Sequence, residues 1–285
     1  MRYTEVTITL SQLEPYRDLL VDALGNEGPY DSFVETPGGL KAYVPTDQYD
    51  EAWLEEQIGS MLQPNGWSMT AEELPDKNWN EEWERQHQAV LVTSPAGKTI
   101  WVRAPFHPLR DDVDYQIEIE PKMSFGTAHH PTTRLMLSYI ADMDMAGQRV
   151  LDMGCGTAIL AILASQRGAT QVEAIDVDEW AYRNALENID KNHCTNIRCH
   201  LGDATLLKNV SPDTGFNTII ANINRNILLR DMAAYVSVLK PGGAILFSGF
   251  YTADIPALVA KAETLGLHLA ETQEVDGWAA IKVNR

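Results

Sequence analysis

Residues 149–160, Arg-Val-Leu-Asp-Met-Gly-Cys-Gly-Thr-Ala-Ile-Leu, constrain the fold more than any other stretch of the chain. An apolar run enters Asp152, two glycines come next with one residue between them, and a helix-compatible run starts at Ile159. That order predicts a strand, a tight turn and a helix. Gly154 and Gly156 carry no Cβ, so the turn can take unusual dihedrals and bring its backbone against a ligand, with the N–H groups of the next helix pointing at it. By itself such a loop is weak evidence of a nucleotide-like site.

The residues after the loop set the architecture. Strand-like runs at 149–153, 171–175, 197–201, 217–221, 244–248, 268–274 and 278–283 alternate with helix-like runs at 159–167, 179–191, 227–239 and 252–265. Such alternation predicts an α/β fold with a Rossmann-like, seven-stranded, mostly parallel sheet covered on both faces, which binds ligands at the carboxyl ends of its strands. Only residues 275–277 separate the last two strands, too few for a crossover, so the terminal strand should run antiparallel.

Upstream the periodicity changes. Residues 3–10 alternate at period two, Ser11 stands as a helix N-cap, and Leu13, Leu19, Leu20 and Leu24 mark a helix that Gly25 should end. A hairpin over 30–36 and 40–44 turns at Pro37-Gly38-Gly39; Asp47 then opens a second helix, and 67–73 closes as a strand. The order βαββαβ is that of a small α+β ferredoxin-like domain, expected over 1–74, and no catalytic constellation falls in it. After Pro75, Trp79, Trp83 and His87 recur at helical spacing, which predicts an acidic linker helix over 75–90 with its tryptophans packed against a neighbouring module. The larger domain then occupies 91–285, with short strands at 89–93, 99–104 and 115–120 leading into the main sheet.

Charge narrows the partners. The chain of 285 residues carries a net charge of −18, which argues against a general grip on nucleic acid, since phosphate contacts need clustered Lys and Arg. Residues 1–125 hold 9 Lys/Arg against 23 Asp/Glu, while 126–285 hold 13 against 17. The acidic front provides solubility or an attractive field for a basic protein partner. No apolar run is long enough for a membrane span and the first ten residues do not form a signal peptide, so a cytoplasmic protein is expected. Cys155, Cys194 and Cys199 read as reduced thiols, and no metal site is expected: His129 and His130 are adjacent, so their rings diverge, and no third ligand lies at a fixed spacing.

With the strands placed, four polar features fall on one edge of the sheet. Asp152, Gly154 and Gly156 succeed the first strand; Asp176 ends the second and can accept from ribose hydroxyls; Asp203 comes after the third, where it could meet an adenine edge; Asn222 ends the fourth. Each alone is an ordinary turn residue. Together they predict a nucleoside site. A nicotinamide cofactor would use a similar loop, but Asp152 stands two residues before the first glycine. No His, Tyr–Lys or Cys grouping comes after Asn222 to move a proton with a hydride.

The larger domain resembles the seven-stranded S-adenosylmethionine-dependent methyltransferases, through Asp152-Met153-Gly154-Cys155-Gly156, the turn Leu239-Lys240-Pro241-Gly242-Gly243 and the terminal hairpin. More narrowly, Phe125-Gly126-Thr127, His130-Pro131-Thr132-Thr133, Ala221-Asn222-Ile223, Ser248-Gly249-Phe250 and the small domain in front are similar to the PrmA family, the methyltransferases of large-subunit ribosomal protein 11. That resemblance covers essentially the whole chain. It implies S-adenosylmethionine as cofactor, with Thr133, Gly154, Asp176 and Asn222 among its contacts. It also implies methylation of lysine side chains and the N-terminal amine of that protein, by an enzyme expected to be a monomer. The chain departs from the family at Ala128-His129, which replace a Gly-Thr pair, and at Ala158, which replaces a third glycine and so argues against positive φ there. Asn222-Ile223-Asn224 is a looser form of the Asn-Pro-Pro pattern of amine methyltransferases.

The chemistry expected of such a site is modest. Aligning a neutral amine with a methyl donor is worth up to about 7–11 kcal/mol. Deprotonating a lysine at pH 7 costs roughly 4–5 kcal/mol, and an α-amine only about 1–1.5. An acceptor that holds the neutral amine's N–H and aims its lone pair is therefore more useful than a strong base, and the Asn222 side-chain oxygen is the candidate for that role. The competing readings are a methyltransferase for another protein or a small amine, and a cofactor-binding module without turnover.

Overall fold

In the computed structural model, which describes residues 3–13, 16–26, 28–30, 32–62, 66–74, 88–120, 122, 125–210 and 215–285, the period-two pattern at the start of the chain becomes strand β1 (Tyr3–Leu10). Val6, Ile8 and Leu10 of this strand are buried. β2 (Ser32–Thr36), β3 (Gly39–Pro45) and β4 (Trp67–Glu73) join it in the antiparallel order β2-β3-β1-β4, the order of a ferredoxin-like sheet. Helices α1 (Tyr16–Asn26) and α2 (Glu51–Leu62) pack Leu20, Leu24, Leu54, Ile58 and Leu62 onto the buried face. Two helix boundaries differ from expectation. The Ser11 amide donates to the Gly66 carbonyl at 2.7 Å, outside α1, and Gly25 lies within α1, which runs one residue past it. Asp47 sits in a separate 3-10 turn; Asp50 instead opens α2, its Oδ1 accepting from the Trp53 amide at 3.0 Å. The chain divides into two compact units, Met1–Arg85 and Gln86–Arg285. The linker helix expected over 75–90 lies outside the described residues as far as 87, and Val90 already belongs to a strand.

The second unit starts with a three-stranded sheet, β5 (Val90–Thr93), β6 (Thr99–Arg103) and β7 (Tyr115–Glu118). Helix α3 (Pro131–Asp142) leads into the main alternation: β8 (Arg149–Met153), α4 (Ile159–Gln166), β9 (Gln171–Asp176), α5 (Glu179–Lys191), β10 (Ile197–Leu201), α6 (Leu207–Val210), β11 (Phe216–Asn222), α7 (Arg225–Val238), β12 (Leu239–Tyr251), α8 (Ile255–Thr264), β13 (His268–Val275) and β14 (Trp278–Asn284). The sheet order is β10-β9-β8-β11-β12-β14-β13, parallel through its first five strands, with β14 antiparallel to both neighbours. β12 is longer than expected because Leu239 already pairs with Phe216, ahead of an irregularity that resumes at Thr218 and Ala244.

Strands covered on both faces must be apolar on both. Val150, Val172, Ala174 and Ile220 face a core with α3, α4 and α5; Leu151, Ile175, Ile219 and Ile245 face a second core with α7 and α8. This burial fixes the strand register and so brings the ends of β8, β9, β11 and β12 to one edge. Among the described residues no helix is long and apolar enough to cross a membrane.

Candidate active site

The glycine loop folds onto the end of the neighbouring strand. The Gly154 and Cys155 amides donate to the Ile175 carbonyl at 2.8 and 3.1 Å, and the Gly156 amide donates to Asp176 Oδ2 at 2.8 Å. Asp176 Oδ1 accepts from the Asp178 amide at 3.0 Å, so one carboxylate ties the loop after β8 to the turn after β9. Gly154 and Gly156 have φ of +67° and +54°. A Cβ at Gly154 would lie 2.2 Å from Ile223 Cγ2, and one at Gly156 2.3 Å from the Phe125 carbonyl oxygen. Both glycines are thus favoured by dihedral and required by space. Ala158 overturns the expectation drawn from its side chain: its φ is +63°, at the N-cap of α4. Its amide closes the turn on the Cys155 carbonyl at 2.8 Å, and its fully buried methyl group helps offset a left-handed cost of roughly 1–2 kcal/mol. Ala128 is left-handed as well, with φ of +64°.

The segment before α3 closes over this loop. Thr157 donates its amide to the Phe125 carbonyl at 3.0 Å and its Oγ1 to the Gly126 carbonyl at 2.6 Å. His130 caps α3, its Nδ1 accepting from the Thr132 amide at 3.3 Å with Thr132 Oγ1 2.7 Å away. Burial, reinforced by the Arg134 charge, holds the His130 pKa below its usual 6.5, which keeps that acceptor nitrogen unprotonated. His129 turns elsewhere, with Nε2 2.9 Å from the Gln88 carbonyl.

Between these elements lies a cavity of about 540 Å³, bounded by Gly154, Gly156, Asp176, Asn222, Ile223 and Gly249. Val177, Ala181 and Ile227 give it apolar flanks. Asn222 lines it, and its Oδ1 is buried without a hydrogen-bond partner among the described residues. Of the other residues expected at the site, Thr133 and Asp152 are buried behind the cavity lining. Thr133 Oγ1 has no partner among the described residues, and Thr132 takes the position on the cavity wall. Asp152 Oδ2 accepts from the Ala161 amide at 3.1 Å while Oδ1 is unpartnered. Burial, with the nearby Asp176 charge adding to it, pushes the Asp152 carboxyl up to about 7. Asp203 does not line the cavity: its Oδ1 is taken by the amide and hydroxyl of Thr205 at 2.9 and 2.6 Å, capping the next turn.

Sequence reasoning misses one wall. Trp278 opens β14, the antiparallel strand, and so stands at the same edge as the carboxyl ends of the parallel ones. Its ring is 4.6 Å from His130 and 4.2 Å from Tyr251, and His130 is 5.1 Å from Phe125. The signal that could have found it is topological: the first residue of an antiparallel strand next to β12 must lie at the ligand edge.

The sequence from 5 to 285 matches the family described as ribosomal protein L11 methyltransferase (PrmA). The chain belongs to the PrmA family. Proteins named ribosomal protein L11 methyltransferase are 44% identical in Phocaeicola vulgatus, over 99% of each chain, and 47% identical in Porphyromonas gingivalis, over 95% of this chain and 91% of that one. Among solved structures, the ribosomal protein L11 methylase of Lactobacillus delbrueckii subsp. bulgaricus superposes with a TM-score of 0.59 at 25% identity, covering 68% of this chain and 98% of that one. Membership of PrmA makes this chain a methyltransferase, and places that chemistry on an α/β sheet with an antiparallel terminal strand.

Proposed function

We propose that this chain uses S-adenosylmethionine to methylate large-subunit ribosomal protein 11 in the cytoplasm, at lysine side chains and the N-terminal amine. The observation that carries the reading is the unpartnered Asn222 Oδ1, an acceptor held at the cavity between the glycine loop and the aromatic wall. A buried acceptor without a donor costs about 1–3 kcal/mol, and a bound N–H would satisfy it.

The residues present fit the cofactor. Each Asp176 oxygen already accepts one backbone N–H but has room for a second donor, which suits vicinal ribose hydroxyls. Val177, Ala181 and Ile227 offer an apolar slot for a purine, and the two positive-φ glycines let backbone approach the rest. S-adenosylmethionine supplies an electrophilic methyl group on a sulfonium. Asn222 accepts an N–H of the neutral amine and directs its lone pair into the cavity. His130 is no general base here, because its Nδ1 is engaged by Thr132 and its pKa is depressed; the proton leaves to water. Trp278 and Phe125 line the cavity, and an aromatic face attracts the lysine while it is still a cation by about 0.5–2 kcal/mol. The first unit, with 5 Lys/Arg against 18 Asp/Glu, attracts the basic protein.

Intact-mass measurement of purified large-subunit protein 11, after incubation with the chain and S-adenosylmethionine, tests this. Mass gains in whole methyl steps are expected. Calorimetric binding of S-adenosylmethionine with no transfer to any ribosomal protein would leave a non-catalytic module, and a preference for NAD would leave an oxidoreductase.

A further inference from the structure

Helix α5 carries asparagines at 184 and 188, and Asn192 is its C-cap; the three are four residues apart and therefore on one face. Their side-chain amides hold the end of β7 and the backbone just beyond it much as a neighbouring strand would. Asn192 Oδ1 accepts from the Glu118 amide at 2.9 Å and its Nδ2 donates to the Glu118 carbonyl at 2.7 Å. Asn188 Oδ1 accepts from the Glu120 amide at 2.8 Å, and Asn184 Nδ2 donates to the Glu120 carbonyl at 3.3 Å.

Asn188 does one thing the other two do not. It is fully buried, and its Nδ2 donates to the Thr157 carbonyl at 3.0 Å. Thr157 stands between two left-handed residues, Gly156 at φ +54° and Ala158 at φ +63°, and its own amide and hydroxyl hold Phe125 and Gly126. A non-glycine residue keeps a left-handed conformation only where its surroundings over-determine it. The Asn188 bond fixes the peptide unit that joins Thr157 to Ala158.

We propose that Asn188 is a positioning residue of the cofactor site, holding the glycine loop in its binding conformation through the Thr157 carbonyl. This rests on the reading of the cavity as an S-adenosylmethionine site. When a competent loop is only a fraction of the population, apparent affinity falls by that fraction while the bound state is unchanged. Asn188→Asp keeps the acceptor for Glu120 and, when ionised, has no donor for Thr157; burial favours its protonated form, which can still donate, so both readouts are taken at alkaline as well as neutral pH. Asn192→Asp is the comparison at a partly buried neighbour: it keeps the acceptor for Glu118 and removes a donor to the Glu118 and Asn188 carbonyls, neither of them in the loop.

The test has two readouts on the full chain. Calorimetric Kd for S-adenosylmethionine should rise about 10- to 100-fold in Asn188→Asp, with kcat at saturation within about twofold, and stay within about twofold in Asn192→Asp. In the ligand-free protein, amide exchange at Ala158 should quicken by about the same factor in Asn188→Asp alone. Equal effects in both variants, or none in Asn188→Asp, would overturn the inference. So would an Asn188→Asp chain that cannot be purified folded when Asn192→Asp can, since the role would then be global stability. Failure of the wild-type chain to bind S-adenosylmethionine would sink the functional reading, and the exchange comparison at Ala158 would still decide what Asn188 holds.

Discussion

Asn222 and Asp152 each present a buried oxygen with no donor among the described residues, but they answer to different tests. Asn222 faces the cavity, so its loss should appear in turnover: Asn222→Ala is expected to lower kcat on the order of 10²-fold, in line with removing one aligned polar group. The calorimetric Kd for S-adenosylmethionine should move by less than about fivefold, the affinity cost of roughly 1 kcal/mol. Full turnover in that variant would remove Asn222 from the mechanism. Asp152 lies behind the lining, and its test is stability against pH. Its folded pKa, about 7, lies above the ordinary 3.8, so the native state holds a proton that the unfolded state releases. The stabilisation is complete below about pH 3.8 and is lost as pH rises through about 7, on the order of 4 kcal/mol across the window. Urea unfolding of Asp152→Asn between these limits should lack that slope, even though its new amide donor lowers absolute stability. Parallel slopes for the two proteins would show that Asp152 is ionised throughout.

At the scale of elements, α3 is where the cavity and helix stability meet. His130 caps it only while its ring is neutral, and its pKa is held below 6.5, so its contribution is present above pH 6.5 and declines as pH falls below that value. Replacing it with alanine should cost about 1 kcal/mol, whereas His130→Asn should keep a cap and lose the acid-side decline. Thermal unfolding at pH 5 and pH 7.5 distinguishes them; an unchanged pH dependence in His130→Asn would place the titration elsewhere. Elements whose limits are marked locally are legible in the sequence. β8 and α5 have the expected limits because an apolar run and Asp178, the cap of α5, mark them. The start of α2 is not legible in this way, since Asp47 and Asp50 are equally good caps by residue type and only tertiary packing chooses Asp50. Trp278 and Ala158 are illegible for the same kind of reason. The first reaches the cavity through strand order, and the second takes its φ from bonds to distant residues, neither of which a local pattern encodes.

Across the whole molecule the charge is divided unevenly: the unit Met1–Arg85 has a net of −13 and Gln86–Arg285 a net of −5. The cavity and its lining belong wholly to the second unit. Cofactor binding should therefore survive separation while protein recognition should not. Residues 86–285 expressed alone are expected to bind S-adenosylmethionine with a Kd within about threefold of the full chain. Their kcat/KM toward large-subunit protein 11 should fall at least about tenfold, because an acidic field that raises the encounter rate with a basic protein is removed. Salt supplies the control. Raising ionic strength from about 0.05 to 0.5 M shortens the Debye length several-fold, so KM of the full chain should rise by about fivefold or more. The separated unit, lacking most of the charge, should respond much less. If both respond alike, the attraction resides around the cavity itself, where Asp176, Asp178 and Glu179 cluster, and the first unit acts by contact shape and not by charge.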